Sequence, residues 1–417
     1  MIDANSSEPG PTGLPSRVWN RSFALLWQGQ LVSSAGDVAY QIALGFWLLA
    51  ETGSTALMGS VMAAVLVPRI VLAPLLGVII DRVNRKLLLV LADGLSGVSV
   101  LLVGSAALFG VLEVWMVLVA GVVVGAASAV FNPTVHSVLP DLVPSRGIVR
   151  ANAALSTVYS GSGAVGNLAG GVVFSIVGAP LLFLANGVSF LLSALSELFI
   201  RVPAVRRDDE ARPPVLDEVR SGLRFAWRTP GLRQLYALSC VINFFGTMAL
   251  FLLLPLFERD AELGAGWYGG TMGAFAVGGL AALLLLSAIE LEPKRRFAVF
   301  VVAGLIDATC FAALPWMPWV APMMVLIAIS GFATSLENAL MMSALQIRIP
   351  RQMRGKLFAL RSTLVTALVP LAMAAGGALA ELVPIPFLIT GASAAVFVGF
   401  VICLFLPGVR EVLGFEG

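Results

Sequence analysis

Long apolar runs, broken only by short clusters of Gly, Pro and charge, constrain this chain more than any other feature. They fall at roughly 22–49, 55–81, 87–109, 113–139, 150–177, 180–200, 233–257, 265–290, 297–314, 319–347, 355–380 and 385–406. A bilayer core takes about 20 apolar residues in one helix, so each run is long enough to cross it. Of the 417 residues, 59% are hydrophobic and 12% charged, whereas soluble domains carry about 45–50% apolar and about 25% charged residues. The reading is an all-α membrane protein of twelve transmembrane helices in two six-helix halves. Barrel strands would instead alternate apolar and polar residues over about ten positions.

Orientation follows from Lys and Arg, which stay cytosolic. With the N-terminus inside, 24 of the 26 basic residues fall on the cytosolic side, the exceptions being Arg69 and Arg259. Both termini are then cytosolic. The organisation reads as a flexible cytosolic tail (1–21), a six-helix half (22–200), a cytosolic linker (201–232), a second six-helix half (233–407) and a short cytosolic tail (408–417). Within the linker, VLDEVRSGLRFAWR puts Leu216, Val219, Leu223 and Trp227 on one helical face, the pattern of a helix lying at the interface. Trp316 and Trp319 fit an aromatic belt at the outer surface. The three cysteines, Cys240, Cys310 and Cys403, sit in different apolar runs and read as reduced, buried thiols. A net charge of +2 gives no basic excess for nucleic acid.

A faint repeat links the halves. GVIIDRVNRK follows the second run and LSAIELEPKRR follows the eighth, setting Glu290 at the place of Asp81 and Lys294 and Arg295 at the places of Arg85 and Lys86. Gly170-Gly171 in the fifth run and Gly376-Gly377 in the eleventh are shared small-residue positions. Related halves with a site between them are a transporter architecture. In the first loop Gly77 permits close helix packing, Asp81 suits the positive end of an entering helix, and Arg82, Arg85 and Lys86 can hold carboxylates. Together they form a latch that can be made and broken as the halves rock.

The spacing GxxxDRxxRK resembles the signature loop of the major facilitator superfamily, with Asn84 where a Gly is usual. LVSSAGDVAYQIALGFWLLAETGS, SVLPDLVP, RANAALST, GNLAGG and RGKLFALRST resemble the drug-exporter branch that holds macrolide-efflux and enterobactin exporters. The resemblance covers about residues 21–406. It implies that Gly77, Asp81, Arg82, Arg85 and Lys86 gate alternating access, with Asp93 as a partner in the same cluster. GNLAGG departs from the antiporter motif of the fifth span in having Asn167 for Pro, and the fourth span lacks the arginine of many proton antiporters.

Ionisable residues deep in a span cost about 2.5–3.5 kcal/mol each on the insertion scale. Asp37 and Arg69 lie near mid-depth on neighbouring helices, and their expected arrangement is an ion pair facing a central cavity. Asp307 and Glu337 lie at mid-depth in the second half with no evident basic partner, which makes them candidate proton carriers. Glu113, Glu197 and Glu381 fall near span ends, where solvent accounts for them. His136, the sole histidine, reads as a surface or packing residue.

Enzymatic readings fare badly. Arg354-Gly355-Lys356-Leu357 lacks the hydroxyl residue of a phosphate-binding loop, and one histidine leaves no metal cluster or Ser-His pair to build on. No cofactor is expected. The functional expectation is a monomeric inner-membrane transporter that exports amphipathic small molecules in exchange for protons. The alternatives are a lipid or lysolipid flippase that uses Arg69 to hold phosphate, and a non-transporting membrane receptor or scaffold.

Overall fold

Asn20 opens the first helix, its side-chain oxygen accepting the Phe23 N–H, and Gly53 ends it in the left-handed region at φ 63°. This computed structural model describes residues 17–201, 224–259, 263–289, 291–349 and 351–413. The linker helix expected within 201–232 therefore lies outside the described residues apart from a helical turn at 224–228, and Glu290 lies outside them too.

The first half holds α1 (Arg21–Thr52), α2 (Thr55–Arg82), α3 (Arg85–Leu108), α4 (Val114–Leu142) and a helical run, Ile148–Leu198. Gly178, at φ 74° and ψ 177°, breaks that run ahead of Pro180, giving α5 (148–177) and α6 (179–198). Only glycine takes that backbone conformation at low cost. The second half holds α7 (Pro230–Arg259), α8 (Gly264–Ala288), α9 (Pro293–Ala313), α10 (Val320–Arg348), α11 (Arg351–Leu379), α12 (Ile385–Leu404) and a short α13 (Pro407–Leu413). Asn84 begins α3 by accepting the Lys86 and Leu87 N–H groups, a capping role its side chain can fill and a Gly cannot.

Among the described residues, ten stretches are long and apolar enough to cross a membrane. α1 is not among those ten, and the stretch Ala169–Leu198 takes in the end of α5 and the whole of α6. Trp316 and Trp319 are exposed at the turn between α9 and α10, and Trp316 donates its indole N–H to Thr390 Oγ1 at 2.8 Å.

The halves meet along two seams, α2 against α11 and α5 against α8. Both seams close at the end where α1 stops and α2 starts, and both rest on glycine. A Cβ on Gly377 would strike the Thr55 carbonyl oxygen and come within 3.2 Å of Gly59 Cα, and one on Gly171 would come within 2.7 Å of Gly269 Cα. The second glycine of each pair in the sequence repeat, Gly171 and Gly377, is thus a contact point between halves, whereas Gly170 and Gly376 pack within their own half. At this end one apolar cluster spans the molecule, with Phe46, Leu49 and Met58 from the first half and Leu252, Phe257 and Ile389 from the second. Among the described residues, the core divides towards the other end. Phe23, Leu26, Leu89 and Leu139 pack within the first half, and Leu235, Phe300, Leu345 and Phe400 within the second.

Candidate functional site

Each half encloses its own polar recess. In the first half, Gln30, Ser33, Ser34 and Asp37 of α1 face Arg69 of α2, Asp93 and Ser96 of α3, Asn132 and His136 of α4, and Tyr159 of α5 around about 1020 Å³ of space, part of it open solvent. Tyr159 donates to Gln30 Oε1 at 3.1 Å, and the Ser34 and Ser162 hydroxyls are 2.7 Å apart. Asp37 and Arg69 share this recess but do not form the ion pair the sequence predicts. Asp37 instead accepts the Asn186 side-chain amide of α6 at 3.3 Å, and Arg69 is exposed. A neutral amide from an unexpected helix occupies the place assigned to the guanidinium. His136 is exposed at the recess wall.

The second recess, about 930 Å³ including open solvent, is more aromatic: Phe245, Phe275, Phe300 and Phe311 surround Asn243, Asp307, Glu337, Asn338 and Arg361. Asp307 accepts the Ser330 hydroxyl. Glu337 is buried, and its Oε2 has no hydrogen-bond partner among the described residues. No ion pair joins these carboxyls to a basic side chain among the described residues, but their recess also takes in Arg361, which the charge pattern assigns to the cytosolic surface. α11 begins at Arg351 rather than near 355, so Arg361 lies ten residues in, about 15 Å along the axis at 1.5 Å per residue. Its guanidinium approaches Met341 Sδ at 3.9 Å, and its Nε has no partner among the described residues. Asn243 and Asn338 carry no charge and gave no signal. Among the described residues no group of three His, Cys, Asp or Glu is placed to hold a metal ion.

The signature loop is partly in view. Gly77, Asp81 and Arg82 fall on the last turns of α2, but their side chains lie outside the described residues. Arg85 pairs with Asp141 of α4, Nη1 to Oδ2 2.5 Å, and donates to the Ser137 carbonyl at 2.9 Å. Asp93 is therefore not its partner. Eight residues of helix set the two about 12 Å apart along α3, and Asp93 is buried in the first recess with its Oδ2 unpartnered among the described residues. Asp141 could have been found, since it is the acidic residue of SVLPDLVP. Lys86 uses its backbone N–H in the Asn84 cap. In the second half Lys294 and Arg295 are exposed, and Arg295 Nε lies 3.1 Å from Glu292 Oε2. Arg348 and Glu411 meet at 2.5 Å at the same end.

The opposite end carries a polar clasp that the sequence did not reveal. Glu381, between α11 and α12, accepts on Oε1 the Ala56 backbone N–H and the Ser54 and Thr55 hydroxyls, each at 3.0 Å. Arg259 of α7 donates to Thr55 Oγ1 at 3.2 Å. A carboxylate from one half thus caps the N-terminus of a helix in the other, where the peptide dipoles favour negative charge. The Ala56 N–H, with the Ser54 and Thr55 hydroxyls, holds the Glu381 carboxyl below the usual carboxylate range.

Comparison with known proteins follows the same lines. The Major Facilitator Superfamily profile matches residues 26–368. Macrolide efflux protein A of Streptococcus pyogenes is 23% identical over 85% of this chain and 88% of its own. The multidrug efflux pump Tap of Mycolicibacterium fortuitum is 26% identical over 88% and 91%. Among solved structures, the nucleoside transporter NupG superposes with a TM-score of 0.69 at 12% identity, covering 92% of this chain and 99% of that one. A bacterial homologue of the iron transporter ferroportin, in its inward-facing state, gives 0.69 at 19% identity over 93% and 98%.

Proposed function

The chain belongs to the Major Facilitator Superfamily, and from that premise we propose that it exports amphipathic small molecules in exchange for protons by alternating access. It does so as a monomer with twelve spans and both termini in the cytosol. That it is a multi-pass membrane transporter and not an enzyme follows from the family and from the ten apolar membrane-length stretches among the described residues. The observation that carries the finer reading is the pairing of two carboxyl-bearing recesses with seams that close, among the described residues, at the end where α1 stops and α2 starts. In the second recess, rings beside Asp307, Glu337 and the side-chain amides suit a ligand with an apolar body and a polar or cationic group. Asp37 in the first recess supplies the exchangeable proton, and the efflux relatives support this direction of transport.

The test is internal pH in proteoliposomes of the purified protein, with an imposed proton gradient and a lipophilic cation, a macrolide, a siderophore and a lysolipid added in turn. Proton movement that depends on one of the first three and vanishes in Asp37→Asn is the expected result. A second reading, transport of a lysolipid headgroup, draws on Arg69, which is exposed in the first recess and has no carboxylate partner among the described residues. Lysolipid movement without proton movement, lost in Arg69→Gln, would replace the drug-export reading.

A further inference from the structure

One face of α6 is polar along much of its length. Asn186, Ser189, Ser193 and Glu197 recur at helical spacing, and all four are buried. Across from them α1 presents Gly29 and Gly36. A Cβ on Gly29 would come within 2.8 Å of Ser193 Oγ, and one on Gly36 within 2.8 Å of Ser189 Oγ. Asp93 of α3 faces the same line, with Ser193 and Glu197 beside it. Glu197 is 1% exposed, and neither of its carboxyl oxygens has a hydrogen-bond partner among the described residues. Buried Ser and Asn are ordinary glue between membrane helices. A buried carboxyl bonded to nothing is not, because it takes the desolvation cost and returns no contact.

We infer that this face of α6, with Asp93, is a proton path joining the Asp37 recess to the end of the bundle where α1 begins. It rests on the proton-exchange reading and adds to it a route distinct from the ligand recess of the second half. The order follows from depth. Asp37 lies midway along α1, Asp93 lies about 12 Å into α3, and Glu197 is one residue from the end of α6. Ser193 Oγ, like Asp93 Oδ2 and both Glu197 oxygens, has no hydrogen-bond partner among the described residues in this conformation. When the hydroxyl swings between the two carboxyls it takes a proton from Asp93 as it releases its own hydrogen to the Glu197 carboxylate. Atoms and charge balance, with Asp93 left as carboxylate and Glu197 as acid. At this level Phe23, Leu26, Leu89, Ala92 and Ile200 pack tightly, so water reaches Glu197 only when the helix ends shift. Other titratable or charged groups facing the path are Tyr40 on α1, Arg69 on α2, His136 on α4 and Tyr159 on α5.

The test uses the full-length protein in liposomes and two measurements. The first is the infrared difference spectrum between two pH values. The C=O stretch of a protonated carboxyl should be lost in Glu197→Gln and displaced in Asp93→Asn; a spectrum indifferent to both variants overturns the path. The second is ethidium movement, measured as gradient-driven efflux and as equilibrium exchange, which needs no net proton transfer and so normalises for folded protein. Gradient-driven efflux relative to exchange should fall by about tenfold or more in Glu197→Gln, in the range of a lost proton-transfer group. Glu197→Asp should recover it with an altered pH profile. An equal loss in both modes marks a structural role and overturns the path. Gradient-driven efflux unchanged in Glu197→Gln overturns the path alone, whereas no proton-driven efflux in the parent protein overturns the exchange reading and the path with it.

Discussion

Asp37 accepts one long hydrogen bond, from an uncharged amide, in a recess it shares with a guanidinium it does not pair with. That geometry leaves the carboxyl free to change protonation without breaking an ion pair. Asp37→Asn keeps an oxygen acceptor for the Asn186 amide, so thermal unfolding should show a stability change within about 1 kcal/mol, the net worth of one hydrogen bond. Proton-driven transport should nevertheless be lost, and retention of it would remove this carboxyl from the mechanism. Legibility at this scale is uneven. Asp37, Asp307 and Glu337 announce themselves as charges in apolar runs. Arg361 was misplaced because a helix starting four residues earlier carries it inward, and span ends are the least certain part of any such reading. Glu197 reads from sequence as a solvent-facing residue because sequence gives depth along a helix but not the direction a side chain faces.

Pairs of elements hold the two ends of the bundle by different chemistry. Arg85 and Asp141 tie α3 to α4 within one half, with side chains 11% and 16% exposed. Removing one partner of so buried a pair should cost roughly 3 kcal/mol, so Asp141→Asn should lower the melting temperature clearly. Arg85→Gln combined with Asp141→Asn should recover part of that loss, and strict additivity would show that the pair does not act as a unit. The Glu381 clasp instead joins the two halves, and it is sensitive to pH. Its carboxyl is depressed in the clasped state by the Ala56 N–H and the Ser54 and Thr55 hydroxyls. The clasp is therefore fully favoured above the free carboxylate value, about 4.3, and weakens as pH falls through the lower clasped value. Cross-linking of this end should stay constant from neutral pH down to that range and then decline. In Glu381→Gln it should be weaker and flat with pH. The donors come from residues more than 300 positions away, which is why no local motif marked Glu381.

At the scale of the whole molecule the two halves were legible because a bilayer requires each run to be a helix and positive charge orders the loops. Which end is closed was not, since it depends on contacts between the halves rather than on the pattern within either. The small-residue repeat held the clue: Gly171 and Gly377 occupy related positions, and each touches the backbone of the opposite half. Both seams can close only because neither position has a side chain, so adding one should drive the molecule away from this conformation rather than unfold either half. With spin labels at Val83 and Lys294, two exposed residues at the opposite end, Gly377→Val should shift the distance distribution to shorter values as the halves pivot. Melting should remain cooperative, because the clusters within each half are untouched. Gly391→Val, at a glycine with open space around it, should leave the distances as they are. An unchanged distribution in Gly377→Val would mean that the α2–α11 seam does not set the balance between conformations, and that the Glu381 clasp and the α5–α8 seam hold this end without it.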